Sequence, residues 1–478
     1  MYETVIGLEI HIQLNTKTKA FCSDINDFDA EPNTNISMIT LAHPGALPKM
    51  NQAHIEKAVL LGLAFESDIN HYNFFDRKNY FYPDLPKGYQ ITQDKEPFCR
   101  KGKIKFMSEG EVKEVRIHHI HMEEDAGKSI HDQNDHNSLV DFNRAGVPLL
   151  EIVTEPDFRS GQEVSDFMAE LQKVVKYLDI SDANMEEGSF RCDCNVSVRK
   201  SGVNTLGERC EIKNMNSRRF AKNAIEYEAD RQIKEIESGK IIHKTTLLYD
   251  PGKNETRPLR KKESENDYRY FPEPDLPPVI LTEDQIQNIG QQLTPLPLAR
   301  YEALRSEFSL SHADAEFLTE DKTWTDVFFS CARKMNHPKE LGELLIGKVI
   351  PYCKANNTTI NDVADDSGYN AFVKLILSKK VAKSSVYQHV FPAWIKDTTR
   401  NPEEIAIELH LIKSDDQSFL DQIIDQVMIA YPDKCKEYRN GKKGLIGFFM
   451  GHVMQNSKGK ADPKILQSKL EVALDNKK

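Results

Sequence analysis

The chain has 478 residues, 39% hydrophobic and 29% charged, too long for one hydrophobic core and ordinary for a globular protein in water. Its formal net charge of −11 argues against a surface coated with nucleic acid, although a local RNA contact stays open. No apolar run reaches membrane-spanning length, MYETVIGLEIHIQL at the N-terminus lacks the features of a signal peptide, and eight cysteines in so long a chain do not make a disulfide framework, so a reducing cytoplasm is expected.

Residues 2–14 predict a strand, with Ile6, Leu8, Ile10 and Ile12 on one face and Val5, Gly7, Glu9, His11 and Gln13 on the other. Glu9 and His11 are therefore side by side. A Glu-x-His pair is a weak metal signal alone, because a strand histidine is more often a hydrogen-bonded structural residue. Residues 28–51 read as loop, and 52–66 as a helix carrying Gly62 on its apolar face. The stretch 74–93 interleaves Arg77, Lys78 and Lys87 with Phe74, Phe75, Tyr80, Phe81, Tyr82 and Tyr89. Cations beside aromatics suit a ligand bearing phosphates and a base, but also an ordinary aromatic mini-core with snorkelling cations.

Strands are expected at 102–106 and 111–122, leading to HMEEDAGKSIH. Its Ala126-Gly127-Lys128-Ser129 is not a P-loop, because Met122 stands where the first glycine is required. A carboxylate cluster, Glu123, Glu124 and Asp125, remains at the strand end, with His118, His119, His121 and His131 nearby but no cysteines at zinc spacing. Glu151 lies inside the apolar run of residues 143–158, costly unless paired or coordinated. An amphipathic helix follows at 160–179.

Residues Glu186 to Asn216 predict a strand pair. Cys192, Cys194, Val196, Val198, Cys210 and Ile212 alternate with Asp193, Asn195, Ser197, Arg199, Arg209, Glu211 and Lys213. The polar face is either a solvated outer surface or one wall of a cleft; the cysteines read as small buried apolar residues. A helix is expected from Ser217 to Glu237, ending at Gly239. Residues 250–278 have a linker's composition, but Arg260, Lys262, Glu263, Asp267, Tyr268, Arg269 and Tyr270 point to an ordered extended segment. From the capping box Thr282/Gln285 onward everything reads as helix, broken at Pro295-Leu296-Pro297, Asn336-His337-Pro338, Pro351 and 396–402. The last residues, Gly441 to Lys478, carry eight lysines against three acids, a basic end on an acidic protein.

The expected class is α+β: a β-rich cradle domain with an antiparallel sheet over 1–290, followed by two all-α domains, 291–402 and a tail at 403–478. Glu9, Glu124, Glu151, Asp193, Glu211 and His11 offer mostly oxygen ligands with one imidazole. If they converge, such a set suits Mg²⁺ or Mn²⁺ over zinc, and with nearby Arg and Lys it is equipped to move a phosphoryl group.

The motifs IGLEIHIQL, HPGALPKMN, DRKNYFYPDLPKGYQITQ, EEDAGKSIH, NRAGVPLLEIVTEPDF, EEGSFRCDCNVSVR, EIKNMNS and RKKESENDYRYFPEPDLPP, in that order, closely resemble the B subunit of the bacterial aspartyl/glutamyl-tRNA(Asn/Gln) amidotransferase. The match is dense over about residues 1–290 and weaker in the helical remainder. The resemblance implies a cradle that uses ATP and Mg²⁺ to phosphorylate the side-chain carboxylate of Glu or Asp misacylated onto tRNA(Gln) or tRNA(Asn). Ammonia then displaces the phosphate. It comes from an amidase-type glutaminase, the A subunit, which a small C subunit holds to this one. The tail would help to dock the tRNA.

Carried over on these motifs, the metal ligands are Glu9, His11, Glu124 and Glu151; Glu124, Asp193 and Glu211 are catalytic acids; and Lys78, Tyr80, Tyr82, Lys87, Arg191 and Lys213 bind substrate. One departure stands out. Family members often carry two cysteine pairs consistent with a structural zinc, whereas here only Cys22 remains, in FCSD, and ITLAHPG replaces the second pair; no zinc is expected. A non-catalytic protein of the complex that only binds tRNA is the alternative reading, and a two-metal phosphodiesterase a more distant one.

Overall fold

The structure, a computed structural model, describes residues 1–130, 137–260, 268–335, 337–412, 417–457, 461 and 463–476. Asn336, His131, Lys262, Glu263 and Asp267, and Lys458, Lys460, Lys477 and Lys478 of the basic end, lie outside the described residues. The fold is α+β, and the chain divides into two compact units, Met1–Arg300 and Tyr301–Lys478.

The first unit is built on a mixed, mainly antiparallel sheet, ten-stranded among the described residues. Its central elements are β1 (Tyr2–Gln13), β2 (Glu111–Glu124), β3 (Pro148–Thr154), β4 (Phe190–Lys200), β5 (Cys210–Lys213), β6 (Thr245–Asp250) and β7 (Glu255–Arg260). They lie in the order β7-β6-β5-β4-β1-β3-β2, and Cys99–Arg100 and Asp68–Ile69 extend the β2 side. Among the described residues, only β5 and β6 run parallel in this sheet.

The alternation read in β1 is realised: Ile6, Leu8, Ile10 and Ile12 are at most 1% exposed. They share one core with Cys192, Cys194 and Val196 of β4 and with Cys210 and Ile212 of β5. Two helices add apolar residues to that core, α1 (Gly161–Tyr177), through Val164, Phe167, Met168 and Leu171, and α2 (Arg218–Glu237), through Ala221, Ala224 and Ile225. Burying one face this completely leaves the other face of the same strands free to carry charge.

The helix Gln52–Ala64 is capped by Asn51, whose side chain accepts from the Ala53 amide. Its Gly62 permits close packing: a Cβ there would stand 2.6 Å from Cys99 Sγ. The described parts of 250–278 are held in pairings. Phe271–Pro272 pairs with Asp76 and Arg77, and Arg77 makes a two-pronged ion pair with Glu273 at 2.7 and 2.8 Å.

The second unit is helical and holds two separate apolar clusters. One, from Leu304 to Leu411, surrounds Phe328, Tyr369, Phe372 and Trp394; the other, from Leu420 to Leu474, surrounds Phe449, Val453, Leu466 and Leu470. The Thr282/Gln285 capping box forms as expected. The expected break at Pro351 does not occur. Pro338–Leu344 runs on through a π-helical turn, Leu345–Val349, into Ile350–Asn356. The Ile350 amide donates to Leu345 O across the wide turn, which lets a proline lacking an N–H follow without ending the helix. The same device, Val386–Val390, precedes Pro392.

Candidate active site

The polar face of the central sheet is a checkerboard set by strand register. Asp193, Glu9, Val153 and His119 lie opposite one another on β4, β1, β3 and β2; two residues along lie Arg191, His11, Glu151 and His121; a further two along, Gln13, Leu149 and Glu123. Directly opposed residues share a face, so three strands bring five ligand-type side chains together, Glu9, His11, His121, Glu123 and Glu151. His11 Nε2 is 3.4 Å from Glu123 Oε1 and 3.2 Å from Glu151 Oε2; His121 Nε2 is 3.0 Å from Glu151 Oε2 and 3.6 Å from Glu123 Oε2. The Thr92 hydroxyl donates to Glu123 at 3.2 Å.

Glu9, His11 and Glu151 form one group with ligand atoms within 4.8 Å of one another, and His121, Glu123 and Glu151 form a second. Carboxylate oxygens with one imidazole per group fit a hard divalent ion of the Mg²⁺ or Mn²⁺ kind.

The electrostatics follow from burial and mutual contact. Burial alone would lower the His11 pKa, but hydrogen bonds to Glu123 and Glu151 outweigh it and push it up to about 10. His121 rises to about 10 against the same burial penalty, through the charge of Glu151 and its hydrogen bonds. Burial would raise the Glu123 carboxyl, yet the two imidazoles bring it down to about 2. Glu9, which takes no hydrogen bond among the described residues, is instead raised by burial and by the charge of Glu151. Cations ring the cluster. Arg191 donates to Asp125 at 3.0 Å, Lys213 is paired with Asp193 and lies 2.9 Å from Glu211, and Lys78 stands 5.0 Å from the Tyr268 ring centre. Lys78 is held above its usual pKa, against burial, chiefly by Glu123.

Two cavities adjoin the cluster. One, about 300 Å³, is lined by His11, Lys78, Tyr80, Glu123, Arg144, Arg191, Asp193 and Lys213. The other, about 390 Å³, is lined by Glu9, His119, Glu151, Asn195, Arg209, Glu211, Lys244 and Thr246.

Of the residues singled out in the sequence, Glu9, His11, Glu151, Asp193, Glu211, Lys78, Tyr80, Arg191 and Lys213 come together here. Three do not. Glu124 continues the inward phase of Ile120 and Met122, so its carboxylate leaves the cluster, pairs with Lys87 and accepts from the Ile91 amide at 3.0 Å. That takes it out of the candidate metal cluster, where Glu123, one residue earlier, stands instead. Lys87 accordingly faces a different pocket, with Phe21, Thr40 and Gly146, and Tyr82 is 63% exposed on the surface. Sequence reasoning noted Glu123, Asp125 and His121 beside one another but left them out of the site, and it missed Arg144. The signal was there but interrupted: Val115 and Ile117 point inward, a register irregularity follows, and Ile120 and Met122 then set a shifted phase in which His119, His121 and Glu123 share the polar face.

Where the resemblance places a zinc in other members, residues 22–40 form a hydrogen-bonded knot. Cys22 Sγ is 3.5 Å from Thr40 Oγ1, and Asp24 accepts from both the Thr40 hydroxyl and the Ser37 amide.

A mainly antiparallel cradle thus carries an acid- and cation-bearing face beside two polar cavities. The family described as the GatB/GatE catalytic domain matches residues 4–287, and the GatB domain matches residues 326–474. Similar proteins named as B subunits of aspartyl/glutamyl-tRNA(Asn/Gln) amidotransferase include that of Thermodesulfovibrio yellowstonii, 43% identical over 97% of this chain and 98% of its own. Those of Gloeothece citriformis (42%; 99% and 98%) and Bdellovibrio bacteriovorus (41%; 98% and 99%) are alike over a similar span. The chain belongs to the family of aspartyl/glutamyl-tRNA(Asn/Gln) amidotransferase B subunits.

Proposed function

We propose that this chain is the member of the complex that activates the side-chain carboxylate of misacylated Glu-tRNA(Gln), Asp-tRNA(Asn) or both with ATP, and passes the acyl phosphate to ammonia. The observation that carries this reading is the meeting of Glu9, His11, Glu123 and Glu151 on three neighbouring strands, ringed by Lys78, Arg191 and Lys213. A free carboxylate is a poor electrophile. Phosphorylation gives it a good leaving group, and a walled cleft protects the product from water.

Glu9, His11 and Glu151, with Glu123 and His121 beside them, would hold Mg²⁺, which when bound neutralises charge on the phosphoryl oxygens. Lys78, Arg191 and Lys213 supply fixed positive charge for the phosphates, and the Asp125 and Asp193 ion pairs keep Arg191 and Lys213 in place. Ammonia arrives from an amidase-type glutaminase, the A subunit, joined through a small C subunit. The tail, with its basic end, docks the tRNA, and the complex works in the cytoplasm. The knot of Cys22, Asp24, Ser37 and Thr40 supports a fold that needs no zinc there; stoichiometric zinc in a metal assay would overturn that.

The test is ATP-dependent phosphate transfer to Glu-tRNA and Asp-tRNA by the assembled heterotrimer. Glu9→Ala and Glu123→Ala should each lower it by about 100-fold or more. Full activity in both variants would leave this chain only the role of binding tRNA, with its acids structural.

A further inference from the structure

Lys19 is wholly buried, 0% exposed, and makes no ion pair among the described residues. Its ammonium donates instead to two backbone carbonyls, Asn35 O at 2.8 Å and Phe142 O at 3.3 Å. Burial lowers its pKa, against the charges of Cys22, Asp24, Glu124 and Asp141. A buried charge without a close counter-ion is costly. Methionine would fill much the same space without that cost, so a cation at this position calls for a reason beyond packing.

The two carbonyls belong to loops more than a hundred positions apart, and the loops are laced together. Asn33 Oδ1 accepts from the Phe142 amide at 2.8 Å, and Asn143 Oδ1 accepts from the Asn35 amide at 2.9 Å. The Asn143 side-chain amide donates to Glu31 O at 2.7 Å. The lysine stem reaches between them because residue 146 is glycine: at φ +86°, a Cβ there would stand 3.4 Å from Lys19 Cδ. The Ala20 amide then donates to Gly146 O at 2.8 Å, which ties the residue after Lys19 to the same loop.

That loop leads directly to the cluster. The Gly146 amide donates to Asp125 O at 2.9 Å, and the Asp125 amide donates to Val147 O at 2.8 Å. The Asp125 carboxylate accepts from Gln13 at 2.7 Å and from Arg191 at 3.0 Å. Resting on the function proposed above, we infer that Lys19 is a positioning residue for phosphoryl transfer: by holding the 142–146 loop to residues 33–35 it fixes Asp125 and, through Asp125, the Arg191 guanidinium. The candidate metal ligands lie outside this path. Glu9, His11 and Glu151 are placed by the pairing of β1 with β3. Lys19 therefore governs the charge offered to the phosphates and leaves the ion's site alone.

The test uses the assembled complex, with Mn²⁺, ATP and Glu-tRNA as probes. Lys19→Met should lower kcat/KM for ATP in phosphate transfer by about tenfold or more and leave Mn²⁺ affinity within about threefold. Asp125→Asn should lower kcat/KM as well, and adding Lys19→Met to it should cost less than about threefold more, because both act along one path. Should Lys19→Met fail to assemble, Asn143→Ala unlaces the same loops without emptying a buried site, and the same split and the same non-additivity are expected of it. Unchanged kcat/KM, a parallel loss of Mn²⁺ affinity, or fully additive losses in the double variant would overturn the inference while the wild-type complex remained active. A wild-type complex that formed no amide product from either misacylated tRNA would overturn the function and this inference with it.

Discussion

Glu123 and Glu124 are adjacent in sequence and point to opposite faces of one strand. That single residue of phase separates a metal-ligand candidate from the partner of Lys87. Glu123→Gln should weaken Mn²⁺ binding by about 10- to 100-fold, whereas Glu124→Gln should leave it within about threefold, as electron paramagnetic resonance titration of the complex would read. Equal losses would put both carboxylates on the ion. The same cluster makes the metal-free protein pH-sensitive. His11 and His121 titrate near 10 when folded and near about 6.5 when unfolded, so the folded state binds more protons between those values. Their stabilisation is complete below about 6.5 and is lost as pH rises through 10. Without metal, the melting temperature should therefore fall from pH 7 to pH 10, and saturating Mn²⁺ should flatten the fall, because a bound ion replaces the protons. A flat profile in the metal-free protein would show that these histidines are not held protonated.

At the scale of elements, the loop after β2 is constrained as tightly as the strands. Gly127 sits between two carbonyls, and a Cβ there would stand 2.9 Å from both Asp84 O and Asp141 O. Backbone on both sides cannot yield as a side-chain end can. Gly127→Ala should cost about 1–3 kcal/mol by denaturant unfolding, although the alanine is small. A neutral result would mean that this loop relaxes freely. Elements were legible in the sequence where one pattern ran without interruption. The twelve residues of β1 and the capped helix that begins after Ser217 came out close to their observed bounds. In β2 the register irregularity split the alternation, and the polar set beyond it went unread. Pro351 misled in the opposite direction, because a π turn is not written in local composition.

For the whole molecule, the apolar clusters decide where a truncation can be made. Ile405, Ala406 and Leu411 belong to the cluster around Trp394, so a cut at residue 403 would strip that core. Removing residues 413–478 instead spares it. In the assembled complex this deletion should weaken tRNA binding by about tenfold at low salt, less at high salt, and leave glutamine hydrolysis unchanged. Unaltered tRNA affinity at every salt concentration would remove the tail from the docking surface.

The sequence by itself determined the fold class, the strand at β1, the helices that begin after Ser160 and Ser217, the buried face of β1 and β4 and, through eight motifs, the family. All of these depend on local periodicity or on residue identity at fixed spacing, which the chain states directly. Which carboxylates meet was decided only by tertiary structure. Glu9, Glu123, Glu151 and Glu211 come from four strands, and their meeting depends on strand order, above all on the pairing of β1 with β3 and β4, whose residues lie more than a hundred positions apart. The two cavities have the same origin, since neither is lined by one continuous stretch of chain.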